Sequence, residues 1–335
     1  MVDTVLVTGV SGYVGQHCAA ELLRQGFRVR GSLRNAQAAD VVRRGIAGVA
    51  PVEHLDFVEL DLFADAGWDA AMAGCRYALH VASPYVLAEP RQASTLIEAA
   101  VQGTRRAVTA ARRAGVERVV VTSSVVAMNG HMTSGTFGPN DWTDLDAPNL
   151  HAYIQSKTLA ERAAWDLARE HPDGPEVVAI NPGATYGPTL TGDASGQSLK
   201  WVAAILRGRV PVFARAYFTM VDVRDVALLH VRAMTKPGAA GKRYVATSRE
   251  ALPFVRIAEI LAANGFPRVS TRTVPDALVR AMGLFEPDVR GLVKYLGKRV
   301  GADNTATMRD LDWTPIPFDK TVLDTAASLK SVIEA

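Results

Sequence analysis

Short runs of β-branched and leucine residues recur through the first half of the chain, each followed by a stretch with helical spacing. Candidate strands lie at 5–8, 28–32, 57–60, 77–81, 119–123 and 177–181; those at 5–8, 119–123 and 177–181 carry apolar residues at successive positions, so both of their faces should be buried. The segments between them, among them 15–25, 96–114 and 152–170, repeat their apolar residues every three or four positions and read as helices. Such an alternation predicts a parallel sheet covered on both sides, a doubly wound α/β (Rossmann) fold. After Pro188 the rhythm breaks. Gly, Ser and Thr cluster across 189–198, followed by a helix-like run at 199–207, an apolar segment at 218–223, a helix at 226–234 and a strand at 243–247. The expected division is a first domain over 1–188, to which the strand near 243–247 returns. A smaller, mostly helical lobe over 189–335 then caps the strand ends and shapes a pocket.

Composition excludes several classes. The 37 Lys and Arg residues nearly balance 34 Asp and Glu, and a net charge of +3 gives no reason to expect nucleic acid or an acidic membrane as partner. Only two cysteines occur, Cys18 and Cys75, too few for a disulfide framework and not spaced as metal ligands, so a reducing compartment and no metal are expected. The first predicted strand begins almost at once, which leaves no room for a cleavable leader, and no apolar run is long enough to span a bilayer. These features predict a cytoplasmic protein.

The first strand runs into Gly9-Val10-Ser11-Gly12-Tyr13-Val14-Gly15, a G-x-x-G-x-x-G turn that opens an amphipathic helix. Glycines let the backbone turn tightly and come close to a diphosphate, while the unpaired N–H groups of the helix N-terminus favour its charge. Dinucleotide binding is the reading this context supports. The next strand ends Ser32-Leu33-Arg34, without the Asp or Glu that accepts from a ribose 2′-hydroxyl in NAD sites. Arg34 instead offers a planar fork for a 2′-phosphate and Ser32 a hydroxyl donor, with Arg43 or Arg44 as a second charge. The expected cofactor is therefore NADPH/NADP+. Asp61 and Leu62, after the third strand, are placed to meet the adenine, and Val81, Ala82 and Ser83 close the fourth strand beside the cofactor. His80 reads as a satisfied core histidine.

Tyr153 and Lys157 stand four residues apart on a predicted helix, hence on one face. Reducing a carbonyl requires a proton on oxygen as hydride reaches carbon. A free tyrosine, with a pKa of about 10, exchanges protons poorly near neutrality, and an adjacent ammonium favours the phenolate. The fifth strand ends Thr122-Ser123-Ser124, where a hydroxyl can hold the carbonyl oxygen; Ser124 is the candidate and Ser123 the alternative. The sixth strand ends Asn181-Pro182-Gly183-Ala184, a turn expected to pass along the nicotinamide.

Taken together, VTGVSGYVGQH, VRGSLRN, HVASP, VVVTSSVVA, YIQSKTLAERAAW, NPGATYGP, MVDVRDVALLHV and DLDWTPIP resemble the extended short-chain dehydrogenase/reductases. Within them the chain is similar to the dihydroflavonol reductase, cinnamoyl-CoA reductase and methylglyoxal reductase branch, over nearly its whole length. By position the resemblance implies catalytic Ser124, Tyr153 and Lys157, with Lys157 also holding the nicotinamide ribose, and Arg34 selecting the 2′-phosphate. It makes Asn129 a candidate substrate contact, against the alternative of a turn residue before Gly130. It also implies a monomer or a homodimer.

The expectation is an NADPH-dependent carbonyl reductase that turns a ketone or aldehyde, aryl or bulky ones included, into an alcohol. Tyr85, Met128, Phe137, Tyr186 and Phe218 lie on the segments expected to border an apolar or aromatic substrate, with a place in the core the alternative for each. Two competing readings are an NAD(P)-dependent sugar-nucleotide epimerase or dehydratase and a non-catalytic NADPH-sensing regulator. Dehydratases of this superfamily carry an Asp-Glu pair where Ser124 is followed by Val125-Val126, and the regulators commonly lose the Tyr/Lys pair.

Overall fold

The structure is a computed structural model that describes residues 2–83, 93–194, 196–293 and 295–330. The chain begins β1 (Thr4–Thr8), α1 (Tyr13–Arg24), β2 (Arg28–Leu33), α2 (Ala39–Ala47), β3 (Leu55–Glu59), α3 (Trp68–Met72) and β4 (Tyr77–His80). It continues α4 (Ala93–Arg113), β5 (Arg118–Thr122), α5 (Val126–Asn129), β6 (Ser134–Phe137), α6 (Ala152–Glu170), β7 (Glu176–Pro182) and β8 (Ala184–Tyr186). The second half holds α7 (Gln197–Leu206), β9 (Tyr217–Phe218), β10 (Met220–Asp222), α8 (Val223–Thr235), β11 (Arg243–Ala246) and β12 (Leu252–Pro253). It ends with α9 (Arg256–Ala263), α10 (Asp276–Met282), α11 (Pro287–Val293), β13 (Arg299–Ala302), α12 (Thr305–Asp310) and α13 (Phe318–Ser328).

Seven strands form one sheet in the order β11-β7-β5-β4-β1-β2-β3, every neighbouring pair parallel. This is the Rossmann arrangement that the apolar runs predict, with β4 at the centre and β1 beside it. Alternate side chains of β1 feed two separate cores, as a period of two requires. Val5 and Val7 pack with α1 and α8, through Cys18, Ala19, Val226 and Leu229. Leu6 faces the opposite layer, with Ala107, Ala111, Ala164 and Leu167 of α4 and α6. Small residues on α4 and α6 let those helices lie close together over β5 and β7.

Local chemistry sets the helix boundaries. α1 begins after Gly12, with neither a capping side chain nor an acidic residue in its first turn, and stops before Gly26 at φ +85°. The imidazole of His151 accepts from the Tyr153 N–H (3.1 Å) and so starts α6. The carboxylate of Asp222 accepts from Arg224 N–H (2.8 Å) and starts α8, as capping by a short acceptor requires.

Three features depart from the sequence expectation. β3 starts and ends before the predicted 57–60. α8 as well as β11 returns to the first domain, since α8 packs on α1. Finally, β6, from the first half, pairs in parallel with β13 from the second, tying the segment after β5 to the lobe. The lobe has its own core, in which Tyr186, Val202, Phe213, Phe254, Leu261 and Val322 meet. Cys18 and Cys75 are buried free thiols. Among the described residues, no helix is long and apolar enough to cross a membrane.

Candidate active site

The carboxyl ends of β1, β2, β3, β4, β5 and β7 open into a single cavity of about 790 Å³, closed on its far side by the lobe. Ligands in open parallel sheets bind at this edge, where strand order reverses. Of the residues singled out from the sequence, Ser124, Tyr153 and Lys157 line it, as do Gly9, Ser11, Gly12, Tyr13, Val14, Gly15, Ser32, Arg34, Asp61 and Leu62. So do Val81, Ala82, Ser83, Thr122, Pro182, Gly183, Ala184, Asn129 and Tyr186. Tyr85 lies outside the described residues.

One end of the cavity is built from backbone. Gly9 has φ +68°, and a Cβ there would sit 2.9 Å from that of Ala82. At Gly15 a Cβ would come within 2.4 Å of the Gly9 carbonyl, so the helix can approach the turn only without a side chain. The Gly9 N–H donates to Ser32 Oγ (3.0 Å); Ser32 thus braces the loop, and its own hydroxyl proton remains to be donated. Arg34 is exposed at the cavity wall and has no partner among the described residues. Arg43 is engaged elsewhere, donating to Val52 O (3.2 Å) and lying over the Phe57 ring, and neither Arg43 nor Arg44 lines the cavity. An uncapped helix N-terminus, a cradle that a Cβ would fill and an unpaired guanidinium fit a dinucleotide diphosphate with a phosphorylated ribose.

At the other end α6 presents Tyr153 and Lys157 on one face. Lys157 is buried and donates to the Thr122 carbonyl (3.1 Å). Burial pulls its ammonium down to about 8, and the charge of Glu161 opposes that shift. One helical turn further on, the Glu161 carboxylate is fully buried and takes hydrogen bonds from three elements. Ser123 Oγ donates to it at 2.5 Å, Asn181 Nδ2 at 2.8 Å and Arg243 Nε at 2.5 Å. Asn181 also donates to Ser124 O (3.2 Å). The Arg243 guanidinium lies 3.8 Å from the centre of the Trp142 ring. Ser123 is therefore committed to this buried network, whereas among the described residues Ser124 Oγ has only a long contact from Val126 N (3.4 Å) and faces the cavity.

The buried His80 is satisfied by neighbours. Thr8 Oγ1 accepts from Val81 N and Ala82 N (3.0 Å each) and lies 3.0 Å from His80 Nδ1, so its proton points to that nitrogen. Thr104 Oγ1 faces His80 Nε2 at 3.5 Å. Burial drives His80 down to about 3. It stays neutral and does not line the cavity.

Sequence reasoning misplaced part of the apolar wall. Met128 and Phe137 are fully buried in a small cluster with Val125, Val245 and Ala302, because α5 and β6 turn them inward; they do not reach the cavity. Phe218 does, and with it Trp201 of α7 and Tyr217, Phe254 and Tyr295, the last three on loops and short elements whose spacing carries no periodic signal. Lys298 joins them as a charged lining residue.

Sheet order and the glycine turn on β1 define a dinucleotide-binding Rossmann protein of the extended type. The sequence profile of the NAD dependent epimerase/dehydratase family matches residues 5–246, and the chain belongs to that family, the extended short-chain dehydrogenases/reductases. It is 35% identical over 251 residues to cinnamoyl-CoA reductase 1 of Arabidopsis thaliana, covering 73% of this chain and 70% of that protein. Yeast methylglyoxal/isovaleraldehyde reductase Gre2, solved with NADPH, superposes with a TM-score of 0.79 at 22% identity over 98% of both chains. MoeE5, solved with UDP-glucose and NAD, gives 0.77 at 19% identity over 99% of both. The shared fold thus spans proteins crystallised with different nucleotides, and side chains must decide between them.

Proposed function

We propose that this protein is an NADPH-dependent carbonyl reductase. The observation that carries the reading is the convergence of Ser124, Tyr153 and Lys157 on the cavity whose other end holds the glycine turn and the unpaired Arg34. A bound NADPH supplies the hydride that reaches the carbonyl carbon. Ser124 Oγ donates to the carbonyl oxygen and fixes it beside the Tyr153 hydroxyl. Tyr153 gives its proton to that oxygen as the alcohol forms, and the Lys157 ammonium stabilises the phenolate left behind. The buried Glu161 network holds the Ser124 carbonyl through Asn181, and the Thr122 carbonyl holds Lys157. The two donors therefore meet the substrate from fixed positions.

Arg34 in place of a carboxylate at the end of β2 favours NADPH over NADH. Its reductase relatives, among them cinnamoyl-CoA reductase 1 and the NADPH-bound Gre2, support the same direction. A dehydratase is disfavoured because Ser124 is followed by two valines, and Asp61, at the far end, is the only carboxylate among the described cavity-lining residues. A regulator without turnover has no use for the retained Tyr153 and Lys157. The test is loss of NADPH absorbance against aryl ketones, aliphatic ketones, aldehydes and flavanonols, with NADH as control. Carbonyl-dependent oxidation of NADPH, faster than of NADH, is expected. Tight NADPH binding with no turnover across the panel would favour the regulator.

A further inference from the structure

The aromatic end of the cavity carries a cation that the proposed chemistry does not use. Lys298 lines the cavity beside Tyr295 and Val300. It sits in a turn fixed on both sides. Leu296 bridges to Ala216, Gly297 takes φ +71°, and β13 begins at Arg299 with its N–H donating to Thr133 O (3.1 Å). The next residue, Arg299, is also cationic. Its guanidinium lies 4.2 Å from the centre of the Tyr217 ring and donates to the Tyr217 hydroxyl (2.5 Å); it is exposed and does not line the cavity.

Neither Lys298 nor Arg299 has an ion pair among the described residues. Partial burial pulls the Lys298 ammonium below its ordinary range, and among the described residues no carboxylate offsets that. A partly desolvated cation with no counter-charge gains from an anion that brings its own oxygen acceptors. The walls around it, Trp201, Tyr217, Phe218, Phe254 and Tyr295, suit an aryl or apolar body and offer no carboxylate to compete. A pocket of this kind, apolar with one placed charge, sets specificity by that charge.

We infer that Lys298 receives an anionic oxygen group of the substrate, a carboxylate or a phosphate. The preferred substrates are then aryl or apolar carbonyl compounds that carry such a group at the end remote from the carbonyl. The inference rests on the carbonyl-reductase reading for the reacting end of the molecule, and its test separates the two.

Calorimetric binding to the NADPH-loaded protein compares 4-acetylbenzoate, homologues with longer carboxylate arms, their methyl esters and aryl phosphates of matching length. At the arm length that spans the cavity, the acid should bind about tenfold more tightly than its ester, the size of a partly desolvated charge pair. Lys298→Met should abolish that preference and leave ester binding unchanged, and added salt should weaken the acid alone. The tighter of acid and phosphate identifies which anion the site takes. Equal binding of acid and ester at every length, or a preference that survives Lys298→Met, would overturn the subsite. Ester turnover under those circumstances would leave the reductase intact. Lys298-dependent binding without turnover of any compound would instead support the subsite and remove the reductase.

Discussion

At the scale of single residues, two cations carry most of the argument. Arg34 stands unpaired where an NAD-dependent protein places an acid. Arg34→Asp should weaken NADPH binding by more than about tenfold while affecting NADH far less, as fluorescence titration with both cofactors would register. Lys157 is held by burial at about 8, so in the free enzyme its positive charge is lost as pH rises through that value. Since the ammonium stabilises the Tyr153 phenolate, kcat/KM for carbonyl reduction should fall on the alkaline side of about pH 8. An alkaline limb that stays in place in Lys157→Arg would remove Lys157 as its source. These residues are legible in the sequence because their relation is local: positions four apart on a helix, or the residue that follows a strand. Met128 and Phe137 were not, since whether an aromatic or a thioether faces a cavity or a core depends on how α5 and β6 are turned by partners distant in the chain. The walls that do face the cavity, such as Trp201 and Tyr295, come from the loops and short helices of the lobe.

At the scale of elements, Glu161 joins α6 to the ends of β5, β7 and β11. Removing its charge while Arg243 stays buried leaves an uncompensated guanidinium, a change that costs about 3–5 kcal/mol. Glu161→Leu should therefore shift urea unfolding by that amount, and an unchanged midpoint would contradict the keystone role. Gly15 is equally constrained. Any side chain there meets the Gly9 carbonyl, so Gly15→Ala should cost about 1–3 kcal/mol and weaken dinucleotide binding together with stability. Elements buried on both faces were readable, as in β1, β5 and β7, because their apolar runs have no solvent side to interrupt them. β6 and β13 were not. Ser134–Phe137 is mostly exposed, each strand is four residues long, and their pairing brings together segments far apart in sequence, which no local pattern encodes.

At the scale of the whole molecule, buried histidines couple folding to pH. Burial lowers His17 and His230 to about 4 and His80 to about 3. Below the ordinary value of 6.5 the unfolded chain binds protons that the folded one refuses, so stability falls as pH drops from about 6.5 toward 4. Asp225 opposes this by one proton. Burial raises it to about 6, so between 6 and its ordinary 3.8 the folded form is the better proton acceptor. Three against one leaves a net loss, at its steepest about 2–3 kcal/mol per pH unit. Unfolding free energies measured between pH 7 and pH 4 (roughly the histidine range) should decline accordingly; a flat profile would contradict the buried neutral histidines. The cavity where Ser124, Tyr153 and Lys157 converge is lined by both the sheet and the lobe, and chemistry there is the central claim. The measurement that bears on it most directly is NADPH oxidation by wild type and Tyr153→Phe on the same ketone, with NADPH affinity determined for both. Loss of kcat by about 10²–10⁴-fold with unchanged NADPH binding is the predicted result. Equal rates in the two proteins would mean that Tyr153 does not deliver the proton and that the proposed mechanism is wrong.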